Sequence, residues 1–200
     1  MSGPNLLALA DQLAAALPGR DLTCDLSDLL GHSGGLSSDF RPLWPGATFA
    51  GPAVTVRTVG TNLGTVYRAI GSAPPGSVLV IDTHGIRHSA FWGENTTRAA
   101  LERGVRAAVI GGACRDVAAI RRLGFPVVST GHTPQAGLRD DEGEVAVPVS
   151  IGGVPVLPGD LIVGDDNGVV VVPAAEAPRV VNAVLAELVQ ATLSEQRGTL

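Results

Sequence analysis

The stretch WGENTTRAALERGVRAAVIGGACRD, residues 92–116, decides how this chain is read. Gly93-Glu94 opens a segment whose apolar residues recur at helical spacing, and Gly104 reverses the chain after it. An apolar run at 105–110 reads as a strand, and a glycine loop at 111–114 ends in Arg115-Asp116. Twenty residues separate Glu94 from Arg115, so the pattern is [Asp/Glu]-x20-Arg-Asp. A helix of about ten residues and one short strand fill that interval. Glu94, at a helix start, is therefore expected beside Arg115-Asp116 at a strand end. One guanidinium and two carboxylates there suit a small anionic substrate and a divalent metal.

Outward from that stretch, the chain alternates short apolar runs with turns. Residues 5–16 carry a helical stripe closed by Pro18-Gly19, and 23–30 reads as a second helix with Asp25 or Ser27 as cap and Gly31 as stop. Residues 47–59 read as a strand bent at Gly51-Pro52. A helix at 62–70 precedes VLVID at 78–82, an apolar run of the kind that makes a buried parallel strand. The segment 83–92 reads as a loop holding His84, Arg87 and His88. After the central stretch come a helix at 116–123 and a strand at 126–129, an αβαβαβ order that implies right-handed crossovers and a parallel sheet. Beyond Gly131 a polar loop at 132–144 leads into short β runs. Asp165-Asp166-Asn167-Gly168 between two apolar runs signals a hairpin. A helix at 174–196 closes the chain, with Val180, Val181, Val184, Leu185 and Leu188 on one side. The expected class is α/β: a single domain over 1–200 with a central mixed sheet, whose helices at 5–30 and 174–196 pack on the core or on a neighbouring subunit.

Composition narrows the function classes. Hydrophobic residues make up 45% of the 200 and charged residues 16%, enough for one well-buried core. A net charge of −5 and the absence of any basic run argue against nucleic acid as main partner. No apolar run is long enough to span a membrane, and the N-terminus lacks the basic region of a signal peptide. Two cysteines are too few for a disulfide framework or zinc cluster, so a reducing cytoplasm is expected. The glycine loops match neither GxxxxGK[ST] nor a strand–GxGxxG–helix, which leaves nucleotide binding and methyl-donor chemistry without support.

At the central stretch the chemistry is specific. Amide N–H groups at the helix start favour an anion. Arg115 can grip a carboxylate through two parallel hydrogen bonds. Asp116 suits a hard ion such as Mg²⁺, and Glu94 could hold a metal-bound water or move a proton. Together they handle a 2-oxo acid, the metal offsetting charge as a neighbouring carbon–carbon bond breaks. Taken singly, each residue also has an ordinary role: a first-turn acid, a helix cap, a surface cation.

Several motifs together resemble the RraA-like family, which includes the 4-hydroxy-4-methyl-2-oxoglutarate / 4-carboxy-4-hydroxy-2-oxoadipate aldolases. They are SDLLG at 27–31, VLVID at 78–82, WGEN at 92–95, GGACRD at 111–116 and IGGVPVLPGDLIVGDDNGVVVVP at 151–173. The resemblance implies a swivelling-domain-like fold of αββαβ-type layers that forms rings, homotrimers or hexamers. It also implies a class II pyruvate aldolase using Mg²⁺ or Mn²⁺, often with oxaloacetate decarboxylase activity, on a small 2-oxo dicarboxylic acid. By position, Arg115 would grip the pyruvate carboxylate, Asp116 would bind the metal and Glu94 would take the proton-transfer role. The amides of Glu94, Asn95 and Thr96 would lie near the substrate carboxylate. Asp28 matches an acid that faces the site, and Glu187 or Glu195 would reach a neighbour's site. This sequence departs from the pattern with Glu94 for the commoner Asp, Asp28 for Glu, and Gly111 where many relatives have an acid. His84 and His88, flanking Arg87, are candidates for a distal carboxylate, and Cys114 reads as packing. His32 and His132 stay unassigned. The founding member inhibits the endoribonuclease RNase E, so a protein-binding regulator is the alternative.

Overall fold

A computed structural model describes residues 5–198, leaving aside the side chains of 192 and 195–198. The chain runs α1 (Leu6–Ala16), α2 (Leu22–Leu29), β1 (Arg41–Pro42), β2 (Phe49–Thr58), α3 (Gly64–Ser72), β3 (Val78–Asp82), β4 (Ala90–Trp92) and α4 (Glu94–Glu102). It continues through β5 (Ala107–Cys114), α5 (Val117–Leu123), β6 (Val127–His132), β7 (Gly143–Val145), β8 (Val149–Ile151), β9 (Val154–Val156), β10 (Leu161–Asp165), β11 (Gly168–Val172) and α6 (Ala177–Gly198).

β3 shows why the sheet sits where it does. Its apolar residues are all buried, yet they serve two cores. Leu79 and Ile81 face a core with α3, α4 and α5, while Val78 and Val80 face the opposite side. Period-two alternation in a strand buried on both faces produces that split. The path runs β1-β6-β5-β3-β2-β10-β11, with β4 added on β5 and β7 on β2. β2, β3, β5 and β6 are parallel neighbours, as the αβαβαβ order requires. One inner core collects Phe49, Val78, Val109, Val128, Ile162 and Val171 from every strand of the path but β1, so the sheet curls around it. The β8–β9 hairpin packs into the same core through Val149, Ile151 and Val156. Outside β10 and β11, α1, α2 and α6 share a third core in which Leu13 and Leu17 meet Val180, Val181 and Val184. The hairpin at 165–168 forms as expected, Asp165 pairing with Gly168.

Three local expectations are corrected. Residues 111–114 are strand and not loop. β5 runs to Cys114, with a register shift between Ile110 and Ala113. Gly112 permits the close approach of the 83–86 turn, since a Cβ there would stand 2.6 Å from the Ile86 carbonyl oxygen. The 83–92 loop ends in strand β4, which pairs in parallel with β5. β2 runs through Gly51-Pro52 as the single strand expected over this segment. The strand pairs with β10 up to Pro52 and with β3 from Ala53, and proline, which has no N–H, stands where the partner changes. Finally, α2 is capped at Asp21 without a side-chain hydrogen bond, not by Asp25 or Ser27. Its first turn is tied instead to the buried Asp165 carboxylate, which accepts from Thr23 N (2.9 Å) and Thr23 Oγ1 (2.7 Å).

Candidate active site

The parallel pairing of β4 with β5 brings the two ends of the x20 motif together. Arg115 N donates to the Trp92 carbonyl (2.9 Å), which fixes Arg115-Asp116 beside Gly93-Glu94. Trp92 is itself anchored: its ring stacks on Phe125 with centroids 5.7 Å apart, and Nε1 donates to Thr97 Oγ1 at 2.8 Å. Gly93 is a requirement of space and not of backbone angle. Its φ of −167° is extended, but a Cβ would stand 2.7 Å from Asp116 Oδ2 and 3.1 Å from Arg115 Cγ.

Asp116 occupies the position before α5 with φ +57°, the left-handed region that a non-glycine residue enters at some cost. Its side chain makes no capping bond to α5. It turns the other way, and Oδ2 accepts from Glu94 N at 3.1 Å and lies 3.4 Å from Arg115 Nε. A carboxylate held in a strained backbone and turned away from its own helix is placed for something other than capping. Arg115 and Asp116 side chains are 37% and 39% exposed, open to a ligand. Both line a cleft together with Tyr67, Asn95, Thr96 and Arg139.

This geometry redistributes the expected roles. The Glu94 amide is taken by Asp116, so it is not available to a substrate carboxylate. The amides of Asn95 and Thr96 have no partner among the described residues. The Glu94 carboxylate binds Arg98 one turn along α4 (2.9 and 2.6 Å). Asp28 is not brought to the cleft: it sits on α2, 3.1 Å from His32 Nδ1, lining a separate depression with Ser27, Gly35 and Asn167. His84 and Arg87 are also elsewhere. His84 Nε2 meets the Thr58 carbonyl at 3.1 Å, and Arg87 pairs with Asp39 at 2.6 Å; His88 does not line the cleft. Glu187 is exposed on α6, and the Glu195 side chain lies outside the described residues. Cys114 is buried as packing, and burial pushes its thiol pKa above the ordinary value, a contact with Ser129 acting in the opposite sense. Sequence reading missed Tyr67 and Arg139, because only the fold brings α3 and the 136–139 segment across from Arg115.

Among the described residues no three His, Cys, Asp or Glu side chains converge as a metal cage. Asp116 Oδ1, however, has no hydrogen-bond partner there. One carboxylate oxygen without a protein partner, on a residue that lines the cleft, fits an ion that keeps most of its waters, as Mg²⁺ does.

A family profile described as RraA-like, Aldolase/RraA, matches residues 23–171. The chain belongs to this family. Among RraA-like relatives, a Halalkalibacterium halodurans protein provisionally named 4-hydroxy-4-methyl-2-oxoglutarate aldolase is 40% identical over 159 residues, 79% of this chain and 75% of the relative. The 4-hydroxy-4-methyl-2-oxoglutarate aldolase of Thermus thermophilus is 33% identical over 151 residues, 76% of this chain and 92% of that protein. The crystal structure of Streptomyces coelicolor RraAS2, an unusual member of the RNase ES inhibitor RraA protein family, is similar with a TM-score of 0.78. It is 28% identical and covers 98% of both chains. The mixed α/β fold is thus the RraA-like one. No described helix is long and apolar enough to cross a membrane.

Proposed function

We propose that this chain is a carbon–carbon lyase of the class II pyruvate aldolase type. It would cleave 4-hydroxy-4-methyl-2-oxoglutarate-like 2-oxo acids to pyruvate with Mg²⁺ or Mn²⁺, and decarboxylate oxaloacetate. The observation that carries this reading is the Asp116 carboxylate turned back to the Glu94 amide, beside Arg115, in a cleft that also holds Arg139.

The residues divide the work as follows. Arg115 and the amides of Asn95 and Thr96 bind and orient the 2-oxo carboxylate. Arg139, which has no ion-pair partner among the described residues, meets the distal carboxylate of a dicarboxylic substrate. Asp116 would hold the metal through its free oxygen. When bound, such an ion supplies a Lewis acid that offsets the negative charge developing as the carbon–carbon bond breaks. Glu94 is the candidate for moving a proton, a role that requires its carboxylate to leave Arg98. A homotrimer or hexamer in the cytoplasm fits the family resemblance, with Asp28 and Glu187 available to a neighbour's cleft.

The similarity to RraAS2 favours a second reading, a non-enzymatic regulator that binds an RNase E-type endoribonuclease through its surface. The two are separated by measuring pyruvate release from oxaloacetate and from 4-hydroxy-4-methyl-2-oxoglutarate, with Mg²⁺ and with EDTA, for wild type, Arg115→Ala and Arg139→Ala. The lyase predicts metal-dependent release abolished by Arg115→Ala, and a KM raised about tenfold or more by Arg139→Ala as a charged hydrogen bond is lost. Release indifferent to EDTA and to Arg115→Ala would refute this site. No release at all from a folded protein would favour the regulator.

A further inference from the structure

The wall of the cleft away from Arg115 is built from α3 and the 136–141 segment, joined into one body. Leu63 N donates to the Leu138 carbonyl (2.7 Å) and Gly64 N to the Asp140 carbonyl (3.0 Å). Thr65 Oγ1 reaches Asp141 Oδ1 at 3.3 Å, and Arg68 pairs with the same carboxylate at 2.8 Å. Gly64 leaves no gap for a side chain, since a Cβ would stand 2.6 Å from the Asp140 oxygen and from Asp141 Cα. Tyr67, three residues along α3, and Arg139 are therefore held in a fixed relation to each other.

The hydroxyls lining the cleft differ in what they have left to give. Thr96 Oγ1 is engaged by the Gly93 amide and carbonyl, both at 2.9 Å. The Tyr67 hydroxyl has no partner among the described residues, and the residue is 37% exposed and lines the cleft. An uncharged phenol both donates and accepts, so it can pair with a substrate hydroxyl in either sense. A 2-oxo dicarboxylate with its pyruvate end on Arg115 and its far carboxylate on Arg139 would present the carbon between them to this wall.

We propose that Tyr67 is a specificity-determining residue: its hydroxyl hydrogen-bonds the C4 hydroxyl of a 4-hydroxy-2-oxo acid and so favours aldol substrates over oxaloacetate, which lacks that group. The inference rests on the lyase reading above. It deepens that reading by naming what selects the substrate class. A site built to pair a substrate hydroxyl discriminates against the analogue without it.

The test compares wild type with Tyr67→Phe on three reactions: cleavage of 4-hydroxy-4-methyl-2-oxoglutarate, decarboxylation of oxaloacetate, and exchange of the pyruvate methyl protons in D₂O followed by NMR. The expected result is a fall of about tenfold in kcat/KM for the 4-hydroxy substrate alone, the scale of one neutral hydrogen bond. An equal fall in all three would mean the ring only supports the cleft, and three unchanged rates would mean the hydroxyl reads nothing. Either overturns the proposal. A wild type inert on all three would instead remove the lyase reading, and the proposal with it.

Discussion

Replacing Gly93 by alanine isolates the contact between the two halves of the site. The φ of −167° is open to any residue, so the substitution brings no backbone strain. What it brings is a methyl group 2.7 Å from Asp116 Oδ2 and 3.1 Å from Arg115 Cγ. Ordinary contact requires the carboxylate to retreat by on the order of 0.5 Å or more. The Glu94 N–Asp116 hydrogen bond, already 3.1 Å, then passes out of useful range. A hydrogen bond to a charged group is worth about 1.5–3 kcal/mol, and partial exposure puts this one at the lower end. Gly93→Ala is therefore expected to lose about 1–2 kcal/mol in urea unfolding. Misplacement on this scale should slow pyruvate release by roughly tenfold to a hundredfold. Gly131→Ala is the control, because a Cβ there meets nothing within 4 Å and needs no unusual φ. A Gly93→Ala protein with the unfolding midpoint and turnover of the control would refute the claim that this glycine sets the Asp116 position.

Gly71 lies in α3 with open space where a Cβ would be, so Gly71→Ala should stabilise the protein by up to about 1 kcal/mol in the same unfolding assay. Partial desolvation, with Asp165 and Asp21 adding to it, raises the pKa of the largely exposed Cys24, and burial raises that of Cys114. Each thiol is thus held in its protonated form to higher pH than a free cysteine. Alkylation by iodoacetamide followed by mass spectrometry should modify Cys24 slowly, and faster as pH rises through 9 and above; Cys114 should react only on unfolding.

The parts of the structure that were legible in the sequence are those whose signal is local. VLVID announces β3 because a strand buried on both faces must be apolar throughout. The Asp-Asp-Asn-Gly turn announces the β10–β11 hairpin because its turn geometry needs those residues. The x20 spacing placed Glu94 and Arg115-Asp116 together because a helix and a strand have fixed rise per residue. What failed was non-local. Gly111-Gly112 reads as a loop, yet Gly112 sits in a strand because another turn presses against it, a fact held in residues 83–86. His84 and Arg87 are close to the site in sequence and away from the cleft in space, because β4 carries the chain back alongside β5 before α4 begins. Tyr67 and Arg139 have no motif of their own. The hydrogen bonds from Leu63 and Gly64 to the 138–140 backbone bring them into one wall, and no periodicity reports such a pairing.

The packing of α1 and α2 against α6 and the β10–β11 hairpin has a consequence for how the chain is made. Thr23 waits for Asp165, 142 residues further on, before its amide and hydroxyl find their acceptor. Leu13 and Leu17 likewise wait for Val180 and Val184. At ribosomal speed that interval is roughly 10–30 s, during which the apolar stripe of α1 has none of its final neighbours on α6. The three parallel βα units can assemble meanwhile from contacts made in order. The outer helical layer closes last, when the nascent chain brings its two distant segments together.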